Sequence, residues 1–527
     1  MRRMRAPIPS VVSVFLAATC TVSALTAAPQ GLPPLPVPPG NPLTEAKVRL
    51  GQALFWDEQL SSDGTVACGT CHLPEAGGSD PRAWLDRDAA RHPGPDGQRG
   101  TDDDLFGSPG VRRYDRVRHP LVDSLFGEAV QVTHRRPRTN IGAAYATSLF
   151  WDARAGDVFV DPESGEELLP WAAALEVQSL APILNDVEMA HEGRDWADVA
   201  RTLLRAQPLA LAPAVPSALA DWIAGRGYPE LFEEAFGSAD LSPAQIAMAL
   251  ASYQRTLLPT EAPILAQSPD LTDLELEGLR IFRRSGCSEC HDHRRGLFTD
   301  QAFHFIGVAP TETDGGLAAA SGDELDAGLF LTPSLLNVEL RGPYFHDGSK
   351  PTLEDVIEFY DRGGDFGTRR QREIAPLRLS AADKRALAAF LRRPLTDPRA
   401  VRATGPFERP LLSTEAEGRY TAAVRGVSGP GGRALATTPV VLEAHAPRPF
   451  DAFLPAHSTL VQDSRERRRA VLALPTEALA KLELELPRVL PDVPALVGEG
   501  FLADLHTLEA DHRQRGTLVV AIQNLLR

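Results

Sequence analysis

The chain has 527 residues, too many for one hydrophobic core, so two or three domains are expected. A hydrophobic fraction of 43% is that of an ordinary globular protein, and a formal net charge of −16 argues against nucleic acid as a partner. With 42 Gly and 45 Pro the chain is expected to be rich in loops.

Residues 1–28 read as a cleaved export signal. Arg2, Arg3 and Arg5 precede an apolar run from Val11 to Ala18, and small residues follow at Ala24, Ala27 and Ala28. Cys20 lies inside this leader. Residues 29–43 are Pro-rich and predict an extended lead-in rather than packed structure. A helix is expected to start at Thr44 and to carry Val48, Leu50, Leu54 and Phe55 towards Cys68-Gly-Thr-Cys71-His72. Residues 79–128, rich in Asp, Gly, Arg and Pro, read as a solvated insertion whose acidic spacing fits no EF-hand. A loop at 157–167 and an apolar insertion at 205–220 follow. Ser242 with Pro243 opens a helix to Leu257.

A second passage repeats the first. Gly278-Leu-Arg-Ile-Phe282 echoes Gly51-Gln-Ala-Leu-Phe55, and each leads into a Cys-x-x-Cys-His stretch, the later one Cys287-Ser-Glu-Cys290-His291. Beyond it, Thr352 with Asp355 forms a capping box and Gly363-Gly364 closes a helix. Leu353, Val356, Ile357 and Tyr360 share one face, so Tyr360 points inward. Ala381 to Leu391 is a further amphipathic helix. From about 401 to 527 the composition shifts towards Pro, Arg and Ala with short β-like runs such as Thr438–Leu442. The expected architecture is mainly α: two cytochrome-c-like haem domains in tandem (44–265 and 266–400) and a C-terminal appendage (401–527) of unassigned role.

The two Cys-x-x-Cys-His stretches carry the chemistry. Two thiols three residues apart can each form a thioether to one vinyl group of a porphyrin, and the adjacent histidine is then held beneath the ring as an iron ligand. A zinc knuckle would need two further ligands per site, whereas each pair here has its own histidine. Cys68, Cys71, Cys287 and Cys290 are therefore expected to bind two c-type haems, with His72 and His291 on the irons. Once the leader is removed no other cysteine remains. The sixth iron position decides between electron carrier and catalyst. Of four methionines, Met1 and Met4 leave with the leader, which leaves Met189 and Met248.

Further residues tie the chain to a family. Leu50-Gly51-x-x-Leu54-Phe55-x-Asp57-x-x-Leu60-Ser61 precedes the first motif, and Phe150-Trp151-Asp152-Ala153-Arg154-Ala155 follows it. Gln178, Pro182 and Glu188-Met189 come next, and Phe298-Thr299-Asp300 follows the second motif. Thr332-Pro333-Ser334-Leu335-x-Asn337 then leads to Pro343-Tyr344-Phe345-His346-Asp347-Gly348. In this order they resemble the bacterial dihaem cytochrome c peroxidases and their relatives, the methylamine-utilisation (MauG-like) enzymes.

The resemblance implies roles. The N-terminal haem would be the peroxide site and the C-terminal haem would take in or store oxidising equivalents. Gln178 and Glu188 fall on the family's distal glutamine and glutamate, which orient peroxide and move its proton. Trp151 falls on the tryptophan between the haems. Tyr360 stands where the peroxidases carry a methionine ligand, as in the methylamine-utilisation enzymes, and would bind the second iron as a phenolate. His119 and His134 lie in a rebuilt loop at no motif-supported position. An ungapped alignment puts Arg136 where the family's calcium-binding asparagine stands, so an interdomain calcium stays open. The expectation is thus a periplasmic peroxidase-type oxidoreductase acting on hydrogen peroxide. Its electrons would come from a small cytochrome c or cupredoxin, or from residues of a protein substrate. No membrane span and no nucleic acid are expected, and a homodimer stays open. The alternative is a dihaem electron-transfer cytochrome without peroxidase activity.

Overall fold

The computed structural model describes residues 31–367 and 374–416. The expected signal peptide and most of the 401–527 appendage, with its β-like runs, lie outside the described residues. The fold is mainly helical, as expected, with three two-stranded antiparallel sheets among the described residues.

Two helix pairs frame the two halves. Helix α1 (Glu45–Trp56) starts at Thr44, whose hydroxyl accepts from the Lys47 amide. It crosses a later helix of the first half, Pro243–Gln254, capped by Ser242. Between them in sequence lies α2 (Ala174–Leu184), so Pro243–Gln254 is α3. In the second half α4 (Asp273–Arg284) crosses α6 (Ala381–Leu391), and α5 (Leu353–Arg362) packs on α6. The capping box of Thr352 and Asp355 and a left-handed Gly363 bound α5 at the expected places.

The glycines of the echoed passage explain why the two crossings match. A Cβ on Gly51 would lie 1.9 Å from the Ala249 carbonyl oxygen, and one on Gly278 would lie 2.0 Å from that of Ala386. Both contacts are far inside van der Waals distance, so only glycine lets these helices approach. Four residues on, Phe55 and Phe282 fill the space beside each crossing and are fully buried.

The cores interlock rather than dividing at one point of the sequence. Leu32 and Leu35 of the Pro-rich lead-in are buried in the second core, with Tyr145, Leu149, Phe282 and Phe390. The lead-in is extended, as proline dictates, but it is packed, because leucines between the prolines reach the core. Residues 401–416 run the other way. They return as a strap on which Phe407 and Leu412 join the first core, Arg409 pairs with Glu75 and Glu415, and Glu58 accepts from the amide of Ser413 and the hydroxyl of Thr414. These residues therefore belong to the body rather than to a separate appendage. The region 157–167 is not a plain loop but mostly a hairpin, β1 (Phe159–Val160) with β2 (Glu167–Leu169). Its buried Phe159 and Leu169 pack on Ala244 and Ala247 of α3. The apolar stretch 205–220 buries Ala206, Leu209 and Leu219 in the first core.

Candidate functional site

The first site is a single helical turn, Cys68–Cys71. The Thr70 hydroxyl accepts from the Ala67 amide at 2.9 Å and fixes the turn's start. Gly69 is required by a neighbour: a Cβ there would meet the Trp56 ring at 2.3 Å. Burial pushes the Cys68 and Cys71 thiols up to about 12, so both are neutral. His72 Nδ1 lies 3.0 Å from the Gly78 carbonyl oxygen. A carbonyl only accepts, so Nδ1 carries the proton and Nε2 keeps its lone pair for a metal. Burial also lowers the His72 pKa, which favours the neutral imidazole a metal needs.

The Glu188 charge adds to the upward push on both thiols. Its amide donates to the carbonyl and side-chain oxygen of Asn185. Gly110 lets a neighbouring segment approach the Val187 carbonyl, where a Cβ would come within 1.9 Å. Desolvation holds the Glu188 carboxyl above its ordinary range, with Arg154 pulling it down. Gln178 is half-buried on α2. That helix is pinned by Arg255, which holds Glu176 at 2.7 Å in full burial, and by Gln254, which donates to the Ser179 hydroxyl.

The second site opens onto a cavity of about 820 Å³. Cys287, Cys290, His291 and Tyr360 line it, and Phe282, Ile357 and Leu387 are among its apolar walls. The size lies in the range of cofactor pockets. His291 Nδ1 faces the Phe298 carbonyl at 3.1 Å, again leaving Nε2 free. Burial pushes the Tyr360 phenol well up, so only a cation opposite it would ionise the ring. Among the described residues the lining holds no methionine. Met189 is buried in the first core and Met248 packs beside the hairpin. All four cysteines of the motifs are free thiols. Each motif thus offers two free thiols and an imidazole whose Nδ1 is held by a carbonyl, a donor set that fits a c-type haem.

Trp151 also lines the second cavity. Its Nε1 donates to the Arg136 carbonyl at 2.8 Å, Arg138 lies over its ring and His346 meets it edge-on. The Arg136 guanidinium is buried and donates to the Ser79 hydroxyl and to the carbonyls of Asp80, Arg341 and Gly342. Carbonyl oxygens of this kind are what calcium takes. Here they already surround a fixed cation, so these residues do not fit a calcium ion. His119 is exposed beside Asp115, and His134 turns to Asp314 rather than to the first motif.

Several residues near the sites gain a role only from the structure. Arg82, paired with buried Asp80, donates to the Cys71 sulfur at 3.2 Å. His304 pairs with Asp300 at 2.8 Å on the rim of the second cavity, and these two form with Cys290 the one metal-type cluster among the described residues. Asp300 falls within the Phe-Thr-Asp motif, which could have flagged it; His304 has no such mark.

Comparison with known proteins places this geometry. Residues 45–264 match the family model described as di-haem cytochrome c peroxidase. Over 374 residues the chain is 30% identical to the methylamine utilization protein MauG of Methylorubrum extorquens, covering 70% of this chain and 83% of that one. It is 26% identical over 361 residues to the cytochrome c551 peroxidase of Nitrosomonas europaea, covering 67% and 83%. A crystal structure of a MauG-like protein associated with microbial copper homeostasis aligns with a TM-score of 0.50 at 25% identity, covering 72% of this chain and 97% of that one. Two haems and a peroxidase-type oxidoreductase activity follow from these relatives. The chain belongs to the family of di-haem cytochrome c peroxidases that includes the MauG proteins.

Proposed function

We propose that the chain is an exported, periplasmic enzyme that reduces hydrogen peroxide at the His72 site, with electrons relayed through Trp151 from the His291 site. The observation that carries this is the unequal surroundings of two equal motifs. A desolvated carboxyl, Glu188, bears on the first pair of thiols, whereas Tyr360 points into the second cavity.

When bound, each haem supplies an iron that exchanges single electrons with a ligand or a neighbour. Gln178 would orient peroxide through its amide. Glu188 would take the proton from the inner oxygen and deliver it to the outer one, so that water leaves. Two electrons and two further protons complete reduction to two waters. Trp151 offers a π-system on the route between the sites, and Tyr360 would close the second iron with a hard anionic ligand. The electrons come from a small redox protein, a cytochrome c or a cupredoxin, or from residues of a protein substrate oxidised at a distance. The basic, apolar and small residues of the first 28 positions support export, and no described helix is long and apolar enough to cross a membrane.

Stopped-flow absorbance of the ferric holoprotein mixed with peroxide tests this. A prompt change of the Soret band is expected. A spectrum unchanged by peroxide at acidic, neutral and alkaline pH contradicts it and leaves an electron-transfer cytochrome.

A further inference from the structure

The internal duplication provides a control for what packing alone requires. Each half crosses two helices at a glycine: Gly51 against Ala249 and Tyr253, and Gly278 against Ala386 and Phe390. Phe55 and Phe282 are therefore equivalent, and so are Tyr253 and Phe390. Their rings pack alike, with centroids 5.3 Å apart in both halves. The next residue is Trp56 in the first half, fully buried, and Arg283 in the second, exposed. The second half shows that the crossing needs neither a phenol nor an indole. The first half nonetheless carries both, joined by a hydrogen bond from Trp56 Nε1 to the Tyr253 oxygen at 2.9 Å.

The pair also touches the haem-binding turn. Trp56 lies against Gly69, between the two cysteines, and the Phe55 ring stands 6.4 Å from that of His72. On the far side the strap closes over it. Arg409 lies 5.1 Å above the Trp56 ring and holds Glu75 at 2.9 Å.

We infer that Trp56 and Tyr253 form a second redox-active site, distinct from Trp151, that takes an oxidising equivalent from the first haem site when no external donor arrives. The inference rests on the peroxide reading above. In the step, one electron passes from Tyr253 towards the first site by way of Trp56 and reduces an equivalent left there by peroxide. The phenolic proton passes to the Glu75 carboxylate, leaving a neutral tyrosyl radical and a carboxylic acid. A later electron from a donor returns the proton and restores the pair. The hole rests on Tyr253 rather than Trp56 for two reasons. The Arg409 cation raises the energy of positive charge on the indole, while a tyrosine sheds its charge as a proton; and the Trp56 N–H stabilises the phenoxyl oxygen. Glu75 is tied to the pair by Arg409, whose guanidinium lies over the Trp56 ring and 2.9 Å from the Glu75 carboxylate.

The test is EPR of the ferric holoprotein, frozen after peroxide is added without donor, with the Soret band followed in the same samples. A tyrosyl signal is expected in the wild type, at least tenfold weaker in Tyr253→Phe and unchanged in Tyr145→Phe, whose buried ring belongs to the other core. Phenylalanine already stands at the equivalent Phe390. Should Tyr253→Phe fail to fold, mass spectrometry of the wild type after repeated peroxide without donor is expected to find oxidation centred on Tyr253 and Trp56. A tyrosyl signal undiminished in Tyr253→Phe, oxidation centred elsewhere, or a Soret change with no tyrosyl signal overturns this inference alone. An unchanged Soret band overturns the peroxide reading and this inference with it.

Discussion

Glu188 and Tyr360 separate two motifs that are otherwise alike. Desolvation holds the Glu188 carboxyl above its ordinary range. Its folded pKa then exceeds its unfolded one, so between the two values the folded protein holds the extra proton and stability falls as pH rises. Glu188→Gln removes that loss. At neutral pH the variant is expected to unfold at a higher temperature than the wild type while cleaving peroxide ~10²–10⁴-fold more slowly. Calorimetry and stopped-flow absorbance read the two effects, and a variant that loses both stability and rate contradicts the role. Tyr360→Phe keeps the ring and removes the oxygen. It is expected to abolish any phenolate-to-iron charge-transfer absorption and to raise the potential of the second haem in a redox titration, leaving the first unchanged.

At the scale of elements, the glycines of the two crossings carry a matched prediction. Gly51→Ala and Gly278→Ala each drive a methyl group into a backbone carbonyl and are expected to destabilise by about 1–3 kcal/mol through overpacking, measured by denaturant unfolding. A neutral effect at either position would mean that the helices can separate there. What the sequence makes legible at this scale is what chemistry keeps local. Cys-x-x-Cys-His must be contiguous to attach a porphyrin, and the caps at Thr44, Ser242 and Thr352 act within three or four residues, so both kinds of signal can be read along the chain. The echo of Gly51–Phe55 in Gly278–Phe282 marked the duplication, but its reason, a carbonyl nearly 200 residues away from Gly51, lies outside any local window. The same holds for the Gly78 and Phe298 carbonyls that orient the two histidines, and for Arg82 on the Cys71 sulfur. Proline composition led to the expectation of an unpacked lead-in, because it carries no information on where Leu32 and Leu35 are buried.

At the scale of the molecule the chain is tied at both ends of its described body. The lead-in packs into the second core and the strap into the first. Phe407→Ala empties a fully buried site and is expected to lower stability by about 3–5 kcal/mol, with loss of haem absorbance on heating at a lower temperature than in the wild type. Between the halves, Arg136 supplies the positive charge to the carbonyls around it. A calcium chelator is therefore expected to leave the peroxide rate unchanged, and a rate that falls on chelation and returns with calcium would contradict this assignment.

In the proposed enzyme one iron is open to peroxide and the other is closed by Tyr360. EPR of the ferric holoprotein as isolated, wild type beside Tyr360→Phe, tests it most directly. One high-spin and one low-spin haem are expected in the wild type, with only the low-spin signal altered by the substitution. Two low-spin haems that are indifferent to Tyr360→Phe would contradict it.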